Sequence, residues 1–254
     1  MVSSSFWIKQ VWGSSIKRIT IFYRSCDLDD YSCFIFKTPS LVFLDYSSYA
    51  AQDYLVQFDD SLVEARLDIR LWKYYNHVLP LPISYGYQLS KRGEYWGDAT
   101  KLILGVSNVV TLHLSPDSLE VFYFCCNYMP QFNNLIKLSF ESHKERGWQV
   151  LPLLLRKSPN LETLIIKGLV HKITNLCGDV CVCDHGKMMR SCCLLWYEGS
   201  CEELNQMRHF LKNLRFLKLV KVKVQEQVNY LSLTIDLTKL LSTASSNNCK
   251  IQFI

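Results

Sequence analysis

The sequence predicts an α/β solenoid in which short parallel strands are stacked and joined by helical or irregular returns. Three observations carry this reading. First, six segments share the pattern apolar-x-x-apolar-x-apolar. Second, their spacing is regular, with 25 residues from Ile19 to Leu44, 26 from Leu112 to Leu138 and 26 from Leu138 to Leu164. Third, the flanks match, with Phe132-Asn-Asn-Leu135 and Ser158-Pro-Asn-Leu161 in equivalent places. The last two apolar positions of the pattern are two residues apart, so both lie on one face of a strand. One short strand cannot bury that face alone, whereas stacked neighbours share a continuous core.

Taken in order, the repeats are Ile16/Ile19/Ile21, Leu41/Leu44/Tyr46, a weaker Leu62/Ala65/Leu67, Val109/Leu112/Leu114, Leu135/Leu138/Phe140 and Leu161/Leu164/Ile166. Leucine-rich repeats run about 20–29 residues, and the period fits them. Leu214/Leu217/Leu219 is read as a later rung, since Leu217 lies 53 residues, close to two periods, after Leu164. Residues 62–101 are irregular, and Tyr74 to Tyr95 carries prolines, aromatics and glycines that mark an insertion or a distorted repeat. A return helix is expected over Trp148–Lys157, where Trp148, Leu151 and Leu155 share a face and Ser158-Pro159 stops the turn. The repeat region is therefore assigned to residues 1–168.

Residues 169–254 change rhythm. His171 to Leu194 is rich in Cys, Gly and charge and reads as a loop. A strand is expected at Leu194–Tyr197. A helix is expected over Cys201–Asn213, opened by a Ser200/Glu203 capping box and striped by Leu204, Met207, Phe210 and Leu211. Further strands are expected at Leu214–Val224 and Ile251–Ile254, with a helix over Leu231–Ala244 between them. In the stretch from Val220 to Val224, alternation sets the valines on one face and Lys221 and Lys223 on the other. Such a small α/β module would cap the open end of a stack.

The totals narrow the function class. In 254 residues the net charge is only +5, too mild to point to nucleic acid without clustering. Eleven cysteines, an odd number with no leader pattern, fit reduced thiols and a cytoplasmic or nuclear setting. No stretch reaches the ~18 apolar residues of a membrane span.

Several segments resemble the repeat and FBD (F-box-associated) portions of plant F-box/LRR-repeat proteins. Ser158-Pro-Asn-Leu-Glu-Thr-Leu-Ile-Ile-Lys-Gly-Leu169, followed by Cys177-Gly-Asp-Val-Cys181, is similar to the join between repeats and FBD in that family. Glu202-Glu-Leu-Asn-Gln-Met-Arg-His-Phe-Leu211 resembles the FBD helix, and Ile251-Gln-Phe-Ile254 resembles its ending. Phe6-Trp-Ile8 ahead of Ile16-Lys-Arg-Ile19 resembles the family's Trp-Ile element. Cys192-Cys-Leu-Leu-Trp-Tyr-Glu-Gly199 departs from the family's usual FBD strand. The resemblance implies recognition of a protein, by family habit a ubiquitination target. No F-box is legible ahead of Trp7, so contact with a Skp1-type adaptor is expected only if an F-box lies upstream. The alternatives are a stand-alone or degenerate binding protein without ligase contact, and a metal-stabilised nucleic-acid-binding module.

Candidate chemistry is sparse. Cys177, Cys181, Cys183 and His185 are the only residues grouped like zinc ligands, but Cys-x3-Cys-x-Cys lacks the second short pair of a zinc site, and reduced thiols are the favoured reading. Neither a phosphate-binding glycine loop nor a nucleophile–base pattern is present, so no cofactor and no catalysis are expected. The basic run Lys212, Arg215, Lys218, Lys221 and Lys223 includes one aromatic, Phe216, and reads as a solvated face rather than a nucleic-acid site. Strand alternation sends Thr111, His113, Lys137, Ser139, Thr163 and Ile165 outward from the core. These six are the candidate partner-binding residues.

Overall fold

The apolar-x-apolar segments become strands, and the strands line up as neighbours. The computed structural model describes residues 10–23, 33–73, 95–141, 150–167, 191–197, 219–224 and 250–253. In the first half lie β1 (Gln10–Trp12), β2 (Arg18–Phe22), β3 (Cys33–Lys37), β4 (Phe43–Tyr49), β5 (Asp53–Gln57), β6 (Glu64–Arg70), β7 (Trp72–Lys73), β8 (Tyr95–Trp96) and helix α1 (Thr100–Gly105). There follow β9 (Thr111–Leu114), α2 (Pro116–Phe124), β10 (Lys137–Glu141), α3 (Leu151–Arg156), β11 (Thr163–Lys167), β12 (Ser191–Tyr197), β13 (Leu219–Val224) and β14 (Lys250–Phe253).

Nine strands form one all-parallel sheet in the order β2-β4-β6-β9-β10-β11-β12-β13-β14. The repeat positions fall into register across it. Ile19, Leu44, Ala65, Leu112, Leu138 and Leu164 make one continuous row. Ile21, Tyr46, Leu67, Leu114, Phe140 and Ile166 make the next. All but Ile21, which is half-buried, are buried, and Leu44, Leu112, Leu138 and Leu164 are 0 % exposed. The weak Leu62/Ala65/Leu67 repeat is thus a full rung. The sheet passes directly from β6 to β9, and the described residues between them add no strand to the ladder. Trp72–Lys73 and Tyr95–Trp96 meet there in the antiparallel β7–β8 pair, and residues 74–94 lie outside the described residues.

One rung was mis-phased by the sequence. Val220 and Val222, not Leu217 and Leu219, share register with Leu164 and Ile166, through Cys192 and Leu194 of β12. Leu219 instead aligns with Thr163. The two steps are 28 residues each, Leu164 to Cys192 and Cys192 to Val220, so extrapolating a 26-residue beat lands short. The alternating β-branched run of β13 sets the register, because a one-residue slip would reverse every side chain. The strand expected at Leu194–Tyr197 lies within β12, and that expected at Ile251–Ile254 is β14 as far as Phe253, with Ile254 outside the described residues. Both expected C-terminal helices lie outside the described residues.

The returns differ from expectation in the first three repeats. There they are strands, not helices: β1, β3 and β5 form a second parallel sheet. Alternating Phe34 and Phe36, then Tyr54 and Val56, are aromatic and β-branched residues that favour a pleated surface. Phe36 and Tyr46 meet edge-on at 5.4 Å between the two sheets, and Tyr54 joins them at 6.4 Å from Tyr46. Burial in this aromatic layer pushes the Tyr46 phenol up to about 12. Helix α1 continues the back layer beside β5, and its Gly105 permits the close approach: a Cβ there would lie 2.3 Å from a Val56 methyl. The return expected before Ser158 is α3, which buries Leu151, Leu154 and Leu155. Ser158 Oγ ends it by donating to the Leu154 carbonyl at 2.8 Å. Trp148 lies outside the described residues.

Candidate functional site

Residues between the two buried rows project from the opposite face. Across the described rungs the central outward row runs Thr20, Asp45, Arg66, His113, Ser139 and Ile165. The row before it runs Arg18, Phe43, Glu64, Thr111, Lys137 and Thr163. All six candidate residues therefore sit together, as two adjacent triplets on β9, β10 and β11. Five are half-buried, while Ser139 is only 2 % exposed and forms a floor between His113 and Ile165.

Neighbouring rungs lock the face through cross-strand pairs. The Arg18 guanidinium lies 4.0 Å from the Phe43 ring centre, and Arg66 covers the same ring at 5.3 Å. These stacked cations explain why Phe43, an outward residue, is 7 % exposed. Within β6 Arg66 Nε donates to Glu64 Oε1 at 2.8 Å, and between strands Lys167 Nζ lies 3.4 Å from Glu141 Oε1 across register partners. Ser47 Oγ donates to Asp68 Oδ2 at 2.8 Å, again between register partners.

A notch opens where β9 is short. β6, β10 and β11 each run past the level at which β9 ends at Leu114. The chain turns there into α2, capped by Ser115, whose Oγ accepts from Ser118 N–H at 3.1 Å, with Pro116 fixing the first turn. The β6 edge loses a strand partner at this level and gains Ser118 instead. Its buried hydroxyl donates to the Leu67 carbonyl at 2.8 Å and accepts from Ile69 N–H at 2.7 Å. The result is an open groove of about 560 Å³. Asp45, Arg66, Asp68, His113, Asp117, Ser139, Glu141 and Lys167 line it, four carboxylates against two fixed cations.

His113 is the groove's titratable centre. Burial drives its imidazole down to about 4; Glu64 opposes this, and Arg66, Lys137 and Lys167 add to it. Its Nε2 lies 3.5 Å from Glu64 Oε1, which for a neutral ring is a polar contact rather than an ion pair. No hydrogen bond joins Ser139 to His113, so the Ser, His and Glu on this face do not form a relayed nucleophile.

Cys177, Cys181, Cys183 and His185 lie outside the described residues, as do Lys212, Arg215 and Lys218 of the basic run. Lys221 and Lys223 share register with Cys193 and Leu195 of β12. Sequence reasoning missed the groove's other half, namely Asp45, Arg66, Asp68, Glu141 and Lys167. The signal was available: each follows an apolar repeat position by one residue. Among the described residues no helix is long and apolar enough to cross a membrane.

The parallel ladder with its alternating rows defines an LRR-like α/β protein. Comparison with known sequences gives its family. An F-box protein of Arabidopsis thaliana is 45% identical over 98% of this chain and 55% of its own length. Two F-box/LRR-repeat proteins of the same plant are 42% identical over 96% of the chain and 56% of their length, and 40% over 98% and 57%. The chain belongs to the plant F-box/LRR-repeat family. It spans a little over half the length of the curated relatives it matches. No family model matches the chain, and no solved structure matches it.

Proposed function

We propose that this chain is a non-catalytic protein-recognition module, a leucine-rich-repeat solenoid over residues 1–168 closed by an FBD module over 169–254. On this reading it supplies the target-binding part of a ubiquitin-ligase adaptor of the SCF type. The observation that carries the reading is the outward row. Six rungs each present one residue on a frame whose buried rows are fixed, so the surface can vary while the core stays apolar. The acidic notch in that row gives a preformed recess for a partner side chain. The relatives' names, which pair F-box with LRR repeat, support the ligase setting.

The test is site-directed photo-crosslinking in plant extract, with benzoylphenylalanine at Lys137 or Thr163 and, as a back-layer control, at Leu104. Discrete protein adducts from the two face positions, lost on adding Arg66→Glu and Glu141→Lys, are expected. Equal adducts at Leu104, or none at the face in extracts where the control reagent reacts, would refute the reading. A purified Skp1-type adaptor tests the ligase limb separately: ubiquitin transfer to the crosslinked partner should require it.

A further inference from the structure

The residue just before each outward strand row lies on the rim where the chain enters the sheet. Across the described rungs this position is Lys17, Val42, Val63, Val110, Ile136 and Glu162. Four consecutive rungs are thus aliphatic, bounded by a cation at one end and a carboxylate at the other. Val63, Val110 and Ile136 are 44 %, 38 % and 36 % exposed, and Val42 is half-buried.

The backbone fixes this edge. The Val42 carbonyl accepts from both Val63 N–H at 2.9 Å and Glu64 N–H at 3.2 Å. The Val63 carbonyl accepts from Val110 and Thr111, Val110 from Ile136 and Lys137, and Ile136 from Glu162 and Thr163, all between 2.9 and 3.1 Å. Every rung is pinned to the next, so the aliphatic side chains are held in line at the inter-strand spacing of about 4.8 Å. Four such rungs make a stripe roughly 15 Å long. Isolated exposed aliphatics need no explanation, whereas four in line on consecutive rungs and rimmed by charge offer a partner one continuous apolar surface.

We propose that this edge stripe docks one amphipathic helix of a partner protein, on a surface separate from the outward strand face. The spacing selects the occupant. Helical turns rise 5.4 Å, close to the rung spacing, so apolar residues at i, i+3 or i+4, i+7 and i+11 meet successive rungs. The bounding charges set its direction. Lys17, with Arg18 beside it, faces the negative C-terminal end of the helix and its acidic residues. Glu162 faces the positive N-terminal end and its basic residues. Asp59 and Asp60, exposed in the turn that leads to Val63, with Asp60 accepting from Asn108 Nδ2 at 2.8 Å, favour basic residues flanking the helix stripe.

The probe is a designed 18-residue amphipathic peptide with leucines at those spacings, lysines at its N-terminal end and glutamates at its C-terminal end, labelled with fluorescein. Its anisotropy with the full chain should report binding that weakens at least tenfold in Val63→Glu/Val110→Glu and is unchanged in the back-layer control Leu104→Glu. Lys17→Glu/Glu162→Lys, which changes two exposed residues, should reverse the preference between this peptide and a twin with its terminal charges exchanged. The proposal is overturned by equal binding of a scrambled peptide, by indifference to Val63→Glu/Val110→Glu, or by unchanged preference in the charge-exchanged variant. Self-association of the chain abolished by Val63→Glu/Val110→Glu would assign the stripe to a second copy and overturn the helix.

Discussion

Leu138→Ala tests the ladder at a fully enclosed rung. Leu138 is 0 % exposed and lies in register between Leu112 and Leu164, both also 0 % exposed. Each neighbour is held by its own strand, so the site cannot collapse around the missing methyls. Leu→Ala at such sites costs about 2.7–5 kcal/mol, and the rigid flanks put this one at roughly 3–4 kcal/mol. One residue earlier, Lys137 points to the opposite face, and Lys137→Ala should cost no more than about 0.5 kcal/mol. Urea unfolding followed by circular dichroism gives both numbers. With a slope of roughly 2–3 kcal/mol per molar, the Leu138→Ala midpoint should fall by about 1–2 M while that of Lys137→Ala stays in place. Equal shifts for the two variants would mean that the strand does not alternate between core and solvent, and the reasoning would be wrong.

Four further outcomes are expected. Ser118→Ala should destabilise by about 1–3 kcal/mol in the same assay, because it leaves the Leu67 carbonyl and Ile69 N–H without their side-chain partner; a change under about 0.5 kcal/mol would mean that strand β6 does not depend on α2. His113 should titrate well below a free imidazole in proton NMR, near 4, and a value at or above the ordinary 6.5 would contradict its burial. Because the folded pKa is the lower one, the unfolded chain binds the extra proton between about 6.5 and 4, so stability should fall as pH drops through that window. His113→Gln should flatten that part of the pH profile, and an unchanged slope would assign it to other groups. Arg18→Ala should raise the exposure of Phe43 to fluorescence-quenching or solvent-labelling probes and cost about 0.5–1 kcal/mol, the usual worth of a surface cation–π pair; no change in either would remove the stacking.

What the sequence disclosed was the part governed by alternation. Leu112, Leu138 and Leu164 announced their rungs by spacing, and the outward positions of Thr111, His113, Lys137, Ser139, Thr163 and Ile165 followed from period two. Failures came where a second physical effect intervened. The 26-residue beat carried to Leu217 ignored two longer returns, and the valine alternation of β13 decided the register instead. The strand returns β1, β3 and β5 were hidden because short runs such as Cys33–Lys37 carry no long-range mark, and only the packing of Phe36 on Tyr46 reveals their partner layer. The groove's lining could be read, since each charge follows an apolar repeat position, but its depth could not, because that depends on β9 ending one residue before β10 and β11 and three before β6. Nothing local to Ser115-Pro116 states that Glu141 and Lys167 extend beside it.

A recognition face of this kind requires adjacent rungs to be held in parallel register. Methyl–methyl NOE spectroscopy on leucine-labelled protein reads this directly. Cross-peaks from Leu138 to both Leu112 and Leu164 are predicted, with the Leu112–Leu164 peak, two rungs apart at roughly 10 Å, absent or far weaker. Leu138 showing no peak to either neighbour would contradict the ladder and, with it, the recognition face built upon it.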